Sequence, residues 1–326
     1  KSGKEVMTTH NRSQPYDHDD YVVFESEPSG QDYFRPSRLA KFYRAYANGR
    51  EIESICYRFN QPWDFTTKPL PTLEFEVATA LAHNCAISFV DQPLLRGGLD
   101  PKTYEMLAKA FMIADEMAPH IRGTEPYAEL ALLASDRSGD MLKQTQTDFA
   151  GAYCILAESH MPFDVLADSL VMETDLSRFK VIVVANTVHM MPEVVVALRR
   201  YVSDGGTLLF TDRSATLDFH GDPLEDASFG FVSIINESSH LVSFIKPMCH
   251  STDSLIRVRE AVRFQACAGV KVDATETPPA LEVTQTQWIT HNVMPGPDSD
   301  LPSVVTGECG KGRYIYIGPR IFREYI

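Results

Sequence analysis

Five consecutive apolar residues, Val181-Ile-Val-Val-Ala185, leave a β-strand no face to turn toward water. A strand of that kind is covered on both sides, as parallel strands are when the helices connecting them pack on the sheet. Residues 85–90 form a second run of the same character. Between such runs the apolar residues fall at helical spacing, as Leu73, Val77, Ala80 and Leu81 do, and as Val195, Leu198 and Val202 do. Strands alternating with helices fold as α/β, with parallel sheets.

Two series of this alternation are legible. The first predicts strands at 5–9, 21–25, 54–59 and 85–90, with helices at 37–48, 72–83 and 101–117. Ser37 is read as the cap of the first helix and Gly49 as its stop, and Pro101 follows Asp100 at the start of the third. After a linker at 121–127, the second series predicts strands at 128–135, 163–167, 180–185 and 207–211, and helices at 149–160 and 192–203. Gly205-Gly206 closes the last helix. Residues 219–300 carry no topology that periodicity can assign. The chain then ends in an expected hairpin, 303–306 and 313–317, turned by Gly310-Lys-Gly312. Two domains are expected, 1–122 and 123–326, the second interrupted by an unassigned insertion at about 219–300.

Charge narrows the partners. A formal net charge of −14 argues against nucleic acid, which needs concentrated Lys and Arg, and equally against an anionic membrane face. No apolar run reaches the ~20 residues of a membrane helix. A neutral substrate such as a sugar fits. The six cysteines, at 56, 85, 154, 249, 267 and 309, include no C-x-x-C pair and are read as buried free thiols of a reduced, cytoplasmic protein.

In parallel α/β folds the carboxyl ends of the strands carry the site. Polar residues collect there: Asn11, Glu25, Glu27, Asp64 and Asp91. Glu25 and Glu27 are the candidate catalytic groups, since glycosidic bonds are cleaved by paired carboxyl groups and period two puts both on one side of an extended strand. Trp63 beside Asp64 suits a saccharide, whose apolar C–H face stacks on an aromatic ring. Asn11, Arg58, Trp63, Asp64, Asp91 and Arg96 are the candidate substrate-binding residues, with an Arg–Asp ion pair the competing reading for Asp91 and Arg96. Solvated loop acids are the competing reading for Glu25 and Glu27. His10 and His18 near Asp17, Asp19 and Asp20 match no metal motif, so neither metal nor cofactor is expected. Cys154 falls within a predicted helix, and no nucleophile elbow accompanies it.

The stretch Phe149-Ala-Gly-Ala-Tyr153, with Phe163-Asp-Val165, Leu176-Ser-Arg-Phe-Lys-Val-Ile-Val-Val184, Ala197-Leu-Arg-Arg-Tyr-Val-Ser-Asp-Gly-Gly-Thr-Leu208 and Gly310-Lys-Gly-Arg-Tyr-Ile-Tyr316, resembles the trimerisation domain of glycoside hydrolase family 42 β-galactosidases. Upstream, Phe24-Glu-Ser-Glu-Pro28, Trp63-Asp-Phe65 and Glu76-Val-Ala-Thr-Ala-Leu-Ala-His83 resemble the late units of the hypothetical glycosyl hydrolase barrels close to family 151 α-L-fucosidases. The resemblance implies the last units of a (β/α)₈ TIM barrel followed by a flavodoxin-like, class I glutaminase-like open parallel sheet without amidotransferase activity. It implies a homo-oligomer, a trimer, and a glycosidase acting on a saccharide, with an α-L-fucoside among the candidates, through two carboxylates of which one lies in this chain. No Glu ends the strand before helix 72–83, where a family 42 nucleophile is expected, which turns the reading from β-galactosidase toward the fucosidases. A non-catalytic carbohydrate-binding or oligomerisation module is the alternative from a different class.

Overall fold

The computed structural model describes residues 6–10, 19–28, 32–60, 65–135, 143–236, 243–245, 255–281 and 294–325. The chain divides into two compact units, Lys1–Pro126 and Tyr127–Ile326, each mixed α/β with a parallel sheet.

The first unit alternates β1 (Val22–Glu25), α1 (Arg35–Ala47), β2 (Ile52–Tyr57), α2 (Leu70–Ala82), β3 (Ala86–Val90) and α3 (Pro101–Ile121). The strands form a parallel sheet in the order β1-β2-β3. Register sorts the side chains. Val22, Phe24 and Ile52 point with Ile87 to one face, where Ala40, Tyr43 and Ala47 of α1 and Ala80 of α2 cover them. Ile87 and Phe89 meet α2 and α3 on that same face. Alternation sends Val23, Glu25, Glu53, Ile55, Tyr57, Ser88 and Val90 to the other.

Details depart from expectation for local reasons. No strand forms at 6–9: Val6 and Met7 are exposed, and Thr8 is held instead by Asp20, whose carboxylate accepts from its amide at 2.6 Å. Ser37 does not cap α1, which starts two residues earlier; its hydroxyl pairs with His83 Nε2 at 2.6 Å. Asn48 and Gly49, both at positive φ, end that helix. Helix α3 starts at Pro101 as expected, and Asp100 caps it, accepting from the Lys102 amide at 3.2 Å and the Thr103 hydroxyl at 2.9 Å. Strand β3 is half-exposed rather than covered on both sides, because it is an edge strand with helices on one face.

The second unit opens with β4 (Leu130–Ala134), α4 (Lys143–Glu158), β5 (Phe163–Ala167), β6 (Val181–Val184), α5 (Pro192–Asp204) and β7 (Thr207–Thr211). Then come β8 (Val232–Asn236), β9 (Ser243–Ile245), β10 (Ile256–Val258), β11 (Arg263–Ala266), β12 (Lys271–Thr277), β13 (Pro302–Cys309) and β14 (Gly312–Ile317). One sheet runs β10-β9-β12-β13-β14-β7-β6-β4-β5. Its β14-β7-β6-β4-β5 stretch is parallel, with Ile182, Val184, Leu208, Phe210 and Tyr316 fully buried. Helix α5 buries Val194, Val195, Leu198, Tyr201 and Val202, and Gly205 at φ 127° closes it. Antiparallel strands occupy the part that periodicity left unassigned, and β13 pairs with β14 as the expected hairpin.

Gly151 of α4 lies against the C-terminal segment, so that a Cβ there would run into the Phe322 carbonyl oxygen. Gly151→Ala should therefore lose about 1–3 kcal/mol through overpacking, read as a lower urea midpoint; an unchanged midpoint would show that the segment shifts freely.

Candidate functional site

At the carboxyl end of the first sheet the ladder runs one residue past β1: the Ser26 amide donates to the Ile55 carbonyl at 2.9 Å. Ser26 is buried. The Ser54 hydroxyl donates to its Oγ at 2.9 Å, and the Cys56 thiol donates to its carbonyl at 3.1 Å. Burial, with the Glu76 charge adding to it, pushes that thiol up to about 12, so Cys56 is no nucleophile. On either side of Ser26 stand the two candidate carboxylates. Glu25 shares a sheet face with Tyr57; desolvation, then the Glu25 carboxylate, then the Glu27 charge, raise the Tyr57 pKa. Both carboxylates thus act on one hydroxyl.

Glu27 is held by Lys68, whose Nζ donates to its Oε1 at 3.0 Å and to Glu76 Oε1 at 2.8 Å. Lys68 and Glu76 are both buried. Desolvation opposes the Lys68 charge, but hydrogen bonds and attraction from the two carboxylates outweigh it and raise its pKa. Glu76 goes the other way: desolvation outweighs Lys68 and pushes its carboxyl up to about 7. Sequence reading missed this lysine and this glutamate. Glu76 had left a signal, a carboxylate on the apolar stripe Leu73, Val77, Ala80 of α2.

The other candidates divide. Arg58 and Asp91, both at strand ends, are ion-paired with each other in a buried setting, and Arg58 Nη1 also donates to the Thr66 carbonyl at 2.5 Å. Asp91 takes the Gln92 amide at 2.7 Å on the same oxygen, while its Oδ2 is buried without a partner among the described residues. The partner of Asp91 is therefore Arg58, not Arg96, which lies exposed in the loop after β3. Asn11, Trp63 and Asp64 fall outside the described residues. Among the described residues no group of three or more His, Cys, Asp or Glu is placed to hold a metal, and no helix is long and apolar enough to cross a membrane.

The sequence model of the β-galactosidase trimerisation domain matches residues 146–326. The chain belongs to that family. The match includes the antiparallel region 219–300 that sequence reading left without topology. No curated protein matches the sequence significantly. Similar solved structures include α-L-fucosidase isoenzyme 2 from Paenibacillus thiaminolyticus, with a TM-score of 0.75 and 19% identity over 94% of this chain and 46% of that one. A catalytic mutant of a GH42 β-galactosidase from G. stearothermophilus gives 0.70 and 16% over 94% and 48%. The β-galactosidase from Bacillus circulans sp. alkalophilus gives 0.69 and 12% over 94% and 49%. The chain thus spans about half the length of these structures, and at such identities the likeness is one of fold.

In the trimerisation domain, polar side chains again gather at the carboxyl edge of the parallel strands. Asp148 of α4 is fully buried and ion-paired with Arg320, which follows β14; Asn186 Nδ2 donates to it at 3.3 Å. Glu260 pairs with both Arg320 and Arg323. Asp212, just after β7, is buried, and desolvation pushes its carboxyl up to about 7 against the pull of Arg320 and Arg213. Cys154 lies in α4 and is buried, as are Cys56 and Cys85; Cys267 departs from the expectation of buried thiols and is exposed.

Glu76 and Asp212 set a pH dependence. Each binds its proton more tightly in the folded chain than in the unfolded one, where it ionises near 4. Their contribution to stability is therefore full below that value and is lost as pH rises through about 7. Glu76→Gln and Asp212→Asn should each flatten the fall in urea midpoint between about pH 4 and pH 8; a slope equal to that of the parent chain would refute the assignment.

Proposed function

We propose that this chain carries the last strand–helix units of a (β/α)₈ barrel followed by a flavodoxin-like open sheet, and contributes one carboxylate to the active site of a glycoside hydrolase. The observation that carries the barrel is the face of the first sheet on which no helix packs among the described residues. Parallel strands are covered on both sides, yet the helices pack on one side only while Val23, Glu25, Glu53, Ile55, Tyr57, Ser88 and Val90 share the other. Closure into a barrel turns that face inward, and a barrel holds its active site at the carboxyl ends of its strands. For the second unit, numbering the parallel strands along the chain gives the order 2-1-3-4-5, that of flavodoxin-like sheets.

Glu25 is the reacting carboxylate in this proposal. It stands on the inward face with Tyr57, whereas Glu27 is engaged by Lys68. Its partner carboxylate comes from strands outside this chain. Trp63 supplies a ring for the sugar to stack on. Asn11, Asp64 and Arg96 serve its hydroxyls, with Arg58 and Asp91 bracing the floor of the mouth. The likeness in fold to an α-L-fucosidase supports a fucoside as substrate; β2 ends in Tyr57-Arg58 rather than in a carboxylate, which weighs against a β-galactoside.

In the full-length protein, Glu25→Gln should lower kcat on aryl glycosides by about 10²–10⁴-fold, with α-L-fucosides hydrolysed in preference to β-D-galactosides. If Glu25→Gln and Glu27→Gln both turn over at the parental rate, the site is elsewhere. The trimerisation domain supports a homotrimer, so sedimentation equilibrium of the full-length protein should return three times the subunit mass; a monomer would remove the assembly role.

A further inference from the structure

Three charged side chains share the space behind the strand ends, and they come from three different places. Glu27 lies in the turn after β1, Lys68 in the approach to α2, and Glu76 within α2. The Lys68 and Glu76 side chains are 1% and 0% exposed, against 21% for Glu27. Burying an ammonium is unfavourable unless its donors are met, and Lys68 meets both carboxylates at 3.0 and 2.8 Å. The main chain is tied at the same points: the Lys68 amide donates to the Arg58 carbonyl at 2.8 Å, and Arg35 donates to the Glu27 carbonyl at 2.6 Å. Lys68 thus joins the end of β1 to the end of β2 and to α2.

We propose that Lys68, anchored by Glu76, is a positioning residue: it clamps the turn after β1 through Glu27 and so fixes Glu25 at the end of that strand. This rests on the reading of Glu25 as the reacting carboxylate. The clamp also sets the local charge. The Glu25 charge falls on Tyr57 of β2 and on Tyr43 of α1, the latter also under Arg35, with Glu27 two residues on and Glu53 one step back on β2. Lys68 neutralises the Glu27 carboxylate in that set. Without it, the Glu27 carboxylate stands uncompensated and opposes the Glu25 charge.

The test uses the full-length protein, with kcat/KM on aryl glycosides followed against pH. Lys68→Met should move the acidic limb up by about one pH unit and lower the plateau at least about tenfold, while Lys68→Arg should recover most of both. A crystal structure of Lys68→Met should show the Glu25 carboxylate displaced from its place at the end of β1. If Lys68→Met does not fold, Lys68→Met/Glu76→Gln carries the same measurements with one stranded charge fewer. An acidic limb that stays in place, or an undisplaced Glu25 carboxylate, overturns the clamp. Full turnover in Glu25→Gln overturns instead the reading of Glu25, and the two failures are told apart because they fall on different variants.

Discussion

A parallel sheet has no face to spare for water, and both units of this chain are organised around that constraint. In the trimerisation domain it is satisfied within the described residues: Ile182, Val184, Leu208 and Phe210 are buried on one face, and Leu132 and Val183 on the other. In the first unit the helices cover Val22, Phe24, Ile52 and Ile87 and leave Val23, Glu25, Ile55, Tyr57, Ser88 and Val90 to the opposite side. That difference separates a sheet built as a core from one whose second face mixes polar with apolar groups, the face on which the proposed site stands.

The two carboxyl edges handle charge differently. In the trimerisation domain Asp148, Arg320, Glu260 and Arg323 pair with one another and hold the C-terminal segment to α4, while Asp212 keeps a buried oxygen without a partner among the described residues. A buried pair of this kind is weak support for stability but a strong fixer of geometry, since breaking it strands a charge. In the first unit the pairing is lopsided. One ammonium serves two carboxylates, Asp91 keeps an oxygen without a partner among the described residues, and the Glu25 charge falls on the neutral Tyr57 hydroxyl. An excess of acceptor oxygens at a strand edge suits a ligand rich in hydroxyl donors.

Much of this was readable from residue order. Strands β5 and β7 were placed to the residue, because Phe163–Ala167 and Thr207–Thr211 are short apolar runs with sharp boundaries, Gly205-Gly206 being one. The start of α3 at Pro101 was legible for a similar reason: what fixes it lies in the adjacent residues, Asp100 accepting from neighbours two and three positions away. What depends on distant partners was not. The antiparallel strands between 232 and 277 are short and partly exposed, and their register comes from pairings such as Lys271 with Thr306. The Glu27–Lys68 contact spans 41 positions and the Arg58–Asp91 contact 33, so no spacing rule could announce either.

The same distinction explains why the acids at the end of β1 could be picked out but not told apart. Period two makes Glu25 and Glu27 equivalent on an extended strand. The strand, however, stops at Glu25, and Ser26 turns its amide to Ile55 and its hydroxyl oxygen to Ser54. From that point the backbone no longer alternates between two sheet faces, and Glu27 is free to be recruited by whatever cation lies above α2. Lys68 is that cation. The equivalence is broken by a lysine 41 positions downstream, which leaves Glu25 as the carboxylate whose surroundings are set by the sheet itself.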